Sequence, residues 1–176
     1  MLDALIDLPT ILPPSVAGVA LLITFGRRGL VGGWLEDMGV QVAFTQLAVV
    51  LAQVFIAAPF YIRSAILGFA GVEDDIVEAA QLDGANQAQI FRHMMVPITR
   101  PALVSGSMMS WARALGEFGA TIIFAGNYLG RTQTMPTAIY LGFEVDLQVA
   151  ITLSVILVGV SLVMILIVKG LLQRQS

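Results

Sequence analysis

Four long apolar stretches, separated by short polar intervals, dominate the chain. Each is close to the roughly 20 apolar residues that a helix needs to cross the hydrocarbon core of a bilayer. The pattern therefore predicts an all-α, polytopic membrane protein with about four transmembrane helices. The four predicted spans are Leu8–Phe25, Gln41–Ile62, Ile98–Ala125 and Val149–Val168.

Prolines interrupt the first of these spans, at Pro9, Pro13 and Pro14. Proline has no N–H and also restricts the residue before it, so the first third of the span is predicted to be extended or broken. Regular helix is expected from about Ser15. An irregular start to an ordinary span and a kinked element that lines a pathway both fit this pattern.

The second and third spans carry polar side chains. The amide of Gln53 is typical of hydrogen bonding between helices rather than of ligand binding. Arg113 and Glu117 stand four residues apart, so on a helix they share a face and can pair, which lowers the cost of placing either charge in a membrane. The third span is also rich in small residues suited to close helix packing, among them Ser105, Ser107 and Ser110.

The longest polar interval, Glu78–Pro97, predicts two short helices around a glycine. Asp83 and Gly84 form a helix stop, because glycine adopts the left-handed conformation at low cost. A second helix is predicted for Asn86–Met94, and Pro97 closes the interval. The apolar side of the first helix comprises Ile76, Val77, Ala80 and Leu82. Such a stretch can offer a polar knob to a soluble partner; an interfacial loop without a partner is the alternative.

Composition supports a bilayer protein and argues against several functions. Hydrophobic residues make up 57% of the chain and charged residues 12%, whereas soluble domains carry roughly 25% charged residues. Without cysteine there is no disulfide, thiolate nucleophile or cysteine-bound metal. A net charge of −3 without a basic tract leaves no footprint for nucleic acid. The single histidine, His93, lies outside the spans, which argues against a zinc site and against a Ser–His hydrolase within the membrane.

The distribution of lysine and arginine predicts the orientation. Five of these residues fall on the side of the Glu78–Pro97 interval and three on the other side. Because cytoplasmic loops carry the excess of positive charge, the interval is predicted to be cytoplasmic. Four spans then place both chain termini in the cytoplasm. The five residues are Arg63, Arg92, Arg100, Lys169 and Arg174; the three are Arg27, Arg28 and Arg131.

The spacing within the polar interval matches a known motif. A Glu-Ala-Ala triplet beginning at Glu78, three further residues, Gly84 and an apolar-x-apolar-Pro ending at Pro97 resemble the EAA loop of ABC importer permeases. Met94 and Val96 stand where that family usually has isoleucine and leucine. These two differences leave the spacing intact.

Other segments extend the resemblance over essentially all 176 residues. Ser110–Tyr140 and Asp7–Gly26 are similar to regions of the molybdate/tungstate permeases. Gly126–Thr134 is more like the molybdate branch than the related sulfate permeases. Members of the family usually carry two further spans upstream. The chain is therefore expected to be a single, N-terminally short permease domain, residues 1–176, with a cytoplasmic coupling loop at residues 73–97.

The resemblance implies a transport subunit rather than an enzyme. The chain would form the path for molybdate or tungstate through the cell membrane, in contact with lipid and with a second copy of itself. Its other partners would be cytoplasmic ABC ATPase subunits and an external oxyanion-binding protein. It contains no GxxxxGK[ST] phosphate-binding loop, so ATP and Mg²⁺ would be used by the ATPase, and the chain itself would bind no cofactor or metal. A permease for sulfate or another oxyanion, and less favoured a secondary transporter or channel, are the alternatives.

Roles for individual residues follow from this resemblance. Glu78 is predicted to be a polar anchor for the ATPase, with Ala79 and Ala80 permitting close approach and Gly84 permitting the turn. The full set of predicted coupling residues is Glu78, Ala79, Ala80, Asp83, Gly84 and Pro97.

The pathway itself should bind its anion weakly, because an anion held tightly in the membrane could not leave. Small polar side chains suit such a lining. Ser105, Ser107 and Ser110 are therefore candidate pathway residues, with simple helix packing as the alternative. Arg113 and Glu117 are predicted to form an intramembrane ion pair that cancels most of the field of the arginine.

Overall fold

A computed structural model describes residues 2–173, and within that range the chain consists of helices and connections without any strand. The all-α prediction is confirmed. Arg174 and the two termini, which entered the predicted orientation, lie outside the described residues. The helices are α1 (Leu2–Ile11), α2 (Pro14–Phe25), α3 (Gly32–Asp37), α4 (Gln46–Ala70), α5 (Asp74–Leu82), α6 (Gln87–Ile90), α7 (Val96–Leu115), α8 (Gly119–Phe124), α9 (Met135–Val145) and α10 (Leu147–Gln173), with a π-helical turn at Phe91–Met95.

Two helices within residues 2–173, α4 and α10, are each long and apolar enough to cross a membrane. They match the predicted second and fourth spans. Helices α1 and α2 qualify only as a pair, bent by 119° at the break between them. The interruption expected in the span Leu8–Phe25 is therefore present, and regular helix begins at Pro14, close to the predicted Ser15. Helix α1 continues through Pro9, where an extended segment was expected. The chain turns at Pro13, whose ψ is 135°, because Pro14 disfavours a helical conformation in the residue before it.

The predicted third span, Ile98–Ala125, is two helices. Helix α7 ends at its C-cap Gly116, and α8 begins at Gly119. The carboxylate of Glu117 accepts a hydrogen bond of 2.7 Å from the backbone N–H of Ala120, which stabilises the first turn of α8 instead of a continuation of α7. With 20 residues α7 is about 30 Å long, but it does not meet the apolarity that α4 and α10 meet.

Small residues let α2, α4 and α8 approach one another closely. A Cβ atom on Gly18 would lie 2.8 Å from the carbonyl oxygen of Ala120, so α2 and α8 are in backbone contact there. The side chain of Phe124 is completely buried at this junction. Alanines fill most of the remaining core positions, including Ala17, Ala48 and Ala52.

Helices α4 and α7 run side by side in opposite directions and form the most extensive helix pair. The hydroxyl of Ser64 donates to the carbonyl oxygen of Ala102 at 2.7 Å. The amide of Gln53 donates to the carbonyl oxygen of Ala114 at 3.3 Å, which confirms its predicted role between helices. A Cβ atom on Gly106 would lie 2.6 Å from that of Ser64, so the two backbones are as close as glycine permits.

Helix α10 packs mainly on α9. Helix α9 lies in the interval between the predicted third and fourth spans. Gly142 of α9 lies against Ala150 of α10, where a Cβ would be 2.9 Å from the backbone nitrogen. Only 6% of the most apolar part of α10 is buried within the protein. Most of the apolar surface of α10 is therefore not covered by the other described helices.

Candidate coupling surface and translocation groove

The predicted coupling loop begins with α5, a regular helix. Glu73 precedes it, and Asp74 and Asp75 occupy its first turn, where carboxylates favour the positive end of the helix dipole. Ala80 is buried and attaches the helix to the rest of the protein. The sequence pattern placed Leu82 on the same apolar side, but its side chain is 89% exposed. An exposed leucine at the end of α5 was therefore missed.

Gly84 ends α5 in the manner predicted, with a φ of +84°. Its N–H donates to the carbonyl oxygen of Gln81, and the N–H of Ala85 donates to that of Ala80, both at 3.0 Å. This pair of bonds is the Schellman motif, which needs a left-handed residue at Gly84. No atom lies within 4 Å of a Cβ built on Gly84, so the requirement for glycine comes from the backbone conformation alone.

A capping box starts the second helical piece immediately afterwards. The side chain of Asn86 accepts from the N–H of Gln89 at 3.0 Å, and the side chain of Gln89 accepts from the N–H of Asn86 at 2.9 Å. The spacing Asn-x-x-Gln is the sequence signal for this cap, and it was not used in the sequence analysis. The Schellman motif and the capping box together fix the turn between α5 and α6.

The second helical piece does not end at Met94, and Pro97 does not close it. The helix continues through the π-helical turn into α7. Within that turn the N–H of Val96 donates to the carbonyl oxygen of Phe91, five residues earlier. The wider turn stands directly before Pro97, which has no N–H to donate, so the helix passes the proline without breaking.

Several contacts attach this loop to helices α4 and α7. Phe69, near the end of α4, stacks on Phe91 with ring centroids 5.7 Å apart. Ile90 is buried, and buried Thr99 donates its hydroxyl proton to the carbonyl oxygen of Met95 at 2.8 Å. The loop is therefore tied to both α4 and α7. Its exposed surface includes Glu78, Ala79, Leu82, Asp83 and Gly84.

Arg113 and Glu117 lie close together, although not on one helix. Arg113 Nη1 is 2.9 Å from Glu117 Oε2, and the glutamate side chain is 1% exposed. Glu117 follows the end of α7, so the ion pair spans the break between α7 and α8 rather than two turns of a helix. The other carboxylate oxygen of Glu117 accepts the hydrogen bond from the N–H of Ala120.

Two of the three candidate serines share a groove between α4 and α7. Ser107 and Ser110 line it together with Gln53, Tyr61 and Trp111, and its volume is about 430 Å³. The residues that line it do not include Ser105. Among residues 2–173, no group of three or more His, Cys, Asp or Glu side chains is arranged to hold a metal ion.

The fold resembles that of a solved transporter. A chain of the structure described as "Inward facing conformations of the MetNI methionine ABC transporter" superimposes with a TM-score of 0.71 and 18% sequence identity. The match covers 98% of this chain and 73% of that one.

Curated relatives are more similar in sequence. The molybdenum transport system permease protein ModB of Mycobacterium tuberculosis is 43% identical over 94% of this chain and 62% of its own length. ModB of Escherichia coli K12 is 40% identical over 80% of this chain and 62% of its own length. The sulfate transport system permease protein CysT of Salmonella typhimurium is 34% identical over 99% of this chain and 63% of its own length.

This chain spans between 59% and 63% of the length of the curated relatives that it matches. The family model for the inner membrane component of binding-protein-dependent transport systems matches residues 1–176. The resemblance to molybdate permeases is confirmed by the relatives above. The chain belongs to the family of binding-protein-dependent transport system inner membrane components.

Proposed function

We propose that this chain is the membrane-spanning permease subunit of an ATP-driven importer for molybdate or tungstate. The observation that carries the proposal is the loop at α5. A short helix, a left-handed glycine and a capped second helix present an exposed surface and connect directly to two long helices. The assignment of the cargo rests on the molybdenum permeases among the relatives.

In this proposal α5 docks on a cytoplasmic ABC ATPase. Glu78 and Asp83 are exposed and offer carboxylates, Ala79 permits close approach, and Leu82 adds an apolar contact. Ala80 faces the body of the protein and so supports the position of α5 rather than the contact with the ATPase. Pro97 lies in α7, the helix that follows the loop, and so it is also assigned to the support of the loop rather than to the contact with the ATPase.

The connection between loop and spans gives the mechanism. ATP and Mg²⁺ act in the ATPase, and its closure moves α5. Because the Phe69–Phe91 stack and the bonds of Thr99 tie the loop to α4 and α7, these helices move with it. ATP binding thus biases an existing equilibrium between inward-open and outward-open states, in proportion to its different affinity for the two.

The remaining partners follow from the same proposal. Two copies of the chain enclose the path, lipid surrounds them, and an external binding protein delivers the oxyanion. The coupling loop and both termini face the cytoplasm. Ser105, Ser107 and Ser110 are the initial candidates for the path, and the Arg113–Glu117 pair holds the end of α7. Sulfate is the alternative cargo, and the CysT relative supports it. Sulfate is a tetrahedral dianion similar in size and charge to molybdate.

Reconstitution with the ATPase and the binding protein encoded beside this chain tests the function. We expect the chain to co-purify with the ATPase in detergent, and molybdate- or tungstate-loaded binding protein to stimulate ATP hydrolysis and uptake in proteoliposomes. Stimulation by sulfate alone would assign the alternative cargo. Uptake that proceeds without the ATPase would overturn the proposal in favour of a secondary transporter or channel.

A matched pair of glycine variants tests the loop. Gly84→Val forces a β-branched residue into a left-handed conformation and should reduce co-purification with the ATPase. Gly130→Val is the control, because Gly130 has a φ of +73° and no atom within 4 Å of its Cβ position, yet lies in the loop before α9. Equal co-purification of the two variants would count against docking through α5.

A further inference from the structure

The groove between α4 and α7 differs from the surfaces that lipid covers. Its wall includes an amide, a phenol, an indole and two hydroxyls, contributed by Gln53, Tyr61, Trp111, Ser107 and Ser110. Polar groups that face hydrocarbon lose their hydrogen bonds to water and are costly there. The remaining residues that line the groove are aliphatic, among them Val50, Val54 and Ile62, so the polar groups stand apart on a mostly apolar wall. These few polar groups favour an occupant that can hydrogen-bond with them.

The hydroxyl groups of both serines already donate hydrogen bonds within the protein. Ser107 donates to the carbonyl oxygen of Leu103 at 2.9 Å, and Ser110 donates to that of Ala57 at 2.8 Å. A serine hydroxyl has one proton, and an oxyanion only accepts hydrogen bonds. Neither serine can serve the anion without first breaking a bond within the protein.

Gln53 is different because its amide has two protons. One is donated to the carbonyl oxygen of Ala114 at 3.3 Å, which fixes the orientation of the NH₂ group, and the second remains available to the groove. Tyr61 lies eight residues further along α4, about 12 Å toward the coupling loop, and brings an O–H group to the same wall. The two side chains offer donors at successive positions along the groove.

The charges around the groove are compensated. None of its lining residues is ionised, and the nearby arginines are paired: Arg113 with Glu117, and Arg63 with Asp7 and Asp3. An anion would meet neutral donors without a carboxylate to repel it or a free cation to retain it. Weak binding of this kind is what permits passage.

We propose that the α4–α7 groove is the surface along which the oxyanion moves, and that Gln53 and Tyr61, rather than the serines, donate hydrogen bonds to it. This inference rests on the proposed function. It predicts a neutral, mostly apolar groove with hydrogen-bond donors at Gln53 and Tyr61, selective for tetrahedral dianions over cations.

Substitutions at the two donors are the first test, in proteoliposomes with the ATPase and loaded binding protein. Gln53→Leu should lower the rate of molybdate uptake by roughly tenfold, as expected for losing a hydrogen bond to a charged group. Gln53→Glu should lower it further, because a carboxylate repels the anion. Tyr61→Phe removes a single O–H and should lower uptake several-fold. Co-purification with the ATPase should stay unchanged, and Gln148→Leu, at the exposed start of α10, is the matched control.

The absence of cysteine allows an independent test of the groove. Ala58→Cys lines the groove, whereas Val158→Cys lies on the exposed apolar face of α10. A water-soluble anionic thiosulfonate should react with the first thiol and not with the second, and molybdate should slow the reaction in the groove.

The outcomes separate this inference from the proposed function. If the unmodified chain takes up none of molybdate, tungstate or sulfate, the proposed function fails and the inference fails with it. If the unmodified chain transports and both Gln53→Leu and Tyr61→Phe transport at the same rate, only the inference is overturned. An unreactive thiol at position 58 would also overturn it. A greater loss in Gln53→Leu than in Gln53→Glu would assign Gln53 to packing alone.

Discussion

Helices α7 and α10 both expose large surfaces, but the surface of α7 is more mixed in chemistry than that of α10. Along α10 most of the exposed side chains are aliphatic, with Val155, Val158 and Leu166 each at least 60% exposed. Along α7 the exposed or half-exposed positions include Ser107, Trp111 and an arginine, and the helix is hydrogen-bonded to α4. Aliphatic side chains are as well solvated by lipid as by protein, whereas polar ones are not.

This difference assigns the two helices to different environments. Under the proposed function helix α10 faces lipid over most of its surface beyond its contact with α9, so its sequence is constrained mainly by apolarity and length. Helix α7 needs a precise neighbour on one side and a polar environment on another, so its sequence is constrained position by position. Matched substitutions in the two helices can sharpen or break this distinction.

The largest effect is expected at the end of α7, where Glu117→Ala leaves Arg113 without its partner and Ala120 without its acceptor. Removing one member of a buried ion pair costs about 3 kcal/mol or more, and we expect a loss of this size in the free energy of unfolding measured in detergent. The double variant Arg113→Gln/Glu117→Gln retains polar partners and should recover part of the loss. Equal stability of Glu117→Ala and the unmodified chain would show that the pair does not hold the α7–α8 break.

The next largest effect is expected when an arginine is introduced into each helix, because the cost of insertion should differ between α7 and α10. Val158→Arg places a guanidinium on the lipid-facing side of α10 and should cost about 2.5–3.5 kcal/mol of insertion free energy. Ser107→Arg places the same group on the wall of the α4–α7 groove, where other polar side chains are present, and should cost less. The fraction of each variant recovered in the membrane measures the difference, and a greater insertion defect in Ser107→Arg would break the distinction.

Glycines in the two helices provide a third comparison. Gly106→Val would drive a side chain into Ser64 across the α4–α7 contact, and overpacking of this kind costs about 1–3 kcal/mol. Gly159 has no atom within 4 Å of its Cβ position, so Gly159→Val should change stability little. Thermal unfolding in the same detergent distinguishes the two, and a comparable fall in Tm for both would contradict the assignment of α10 to lipid.

The same contrast explains how much the sequence could predict. Helix α10 was predicted within a few residues because continuous apolarity is itself the signal. Gly84 was predicted because a left-handed helix stop is a local property. A break near Pro13 was expected, but the helix that runs through Pro9 before it was not. The break after Gly116 was missed because glycine occurs both within and between helices, and the tertiary partner decides. The continuation past Pro97 depends on a π-helical turn with no simple sequence signal.

The groove lay further beyond prediction because its residues come from two helices. Ser110 was identified as a small polar residue, but its bond to the carbonyl oxygen of Ala57 could not be inferred without the register of α4 against α7. The same register places Gln53 and Tyr61 beside the serines. The sequence pattern indicated which side chains were polar. Only the packing showed which of their N–H and O–H protons were not already donated within the protein.

The smallest expected effect compares two serines with opposite roles. Ser110 donates across to α4, whereas Ser154 of α10 donates to the carbonyl oxygen of Ala150 within its own helix, both at 2.8 Å. Ser110→Ala should therefore lower the free energy of unfolding by about 0.6 kcal/mol, the average for hydrogen bonds between membrane helices. Ser154→Ala should leave it unchanged, because the carbonyl keeps its bond within the helix. Unfolding in detergent can resolve this difference if both variants are measured in parallel. A loss confined to Ser154→Ala would place the decisive packing on α10 and reverse the roles of the two helices.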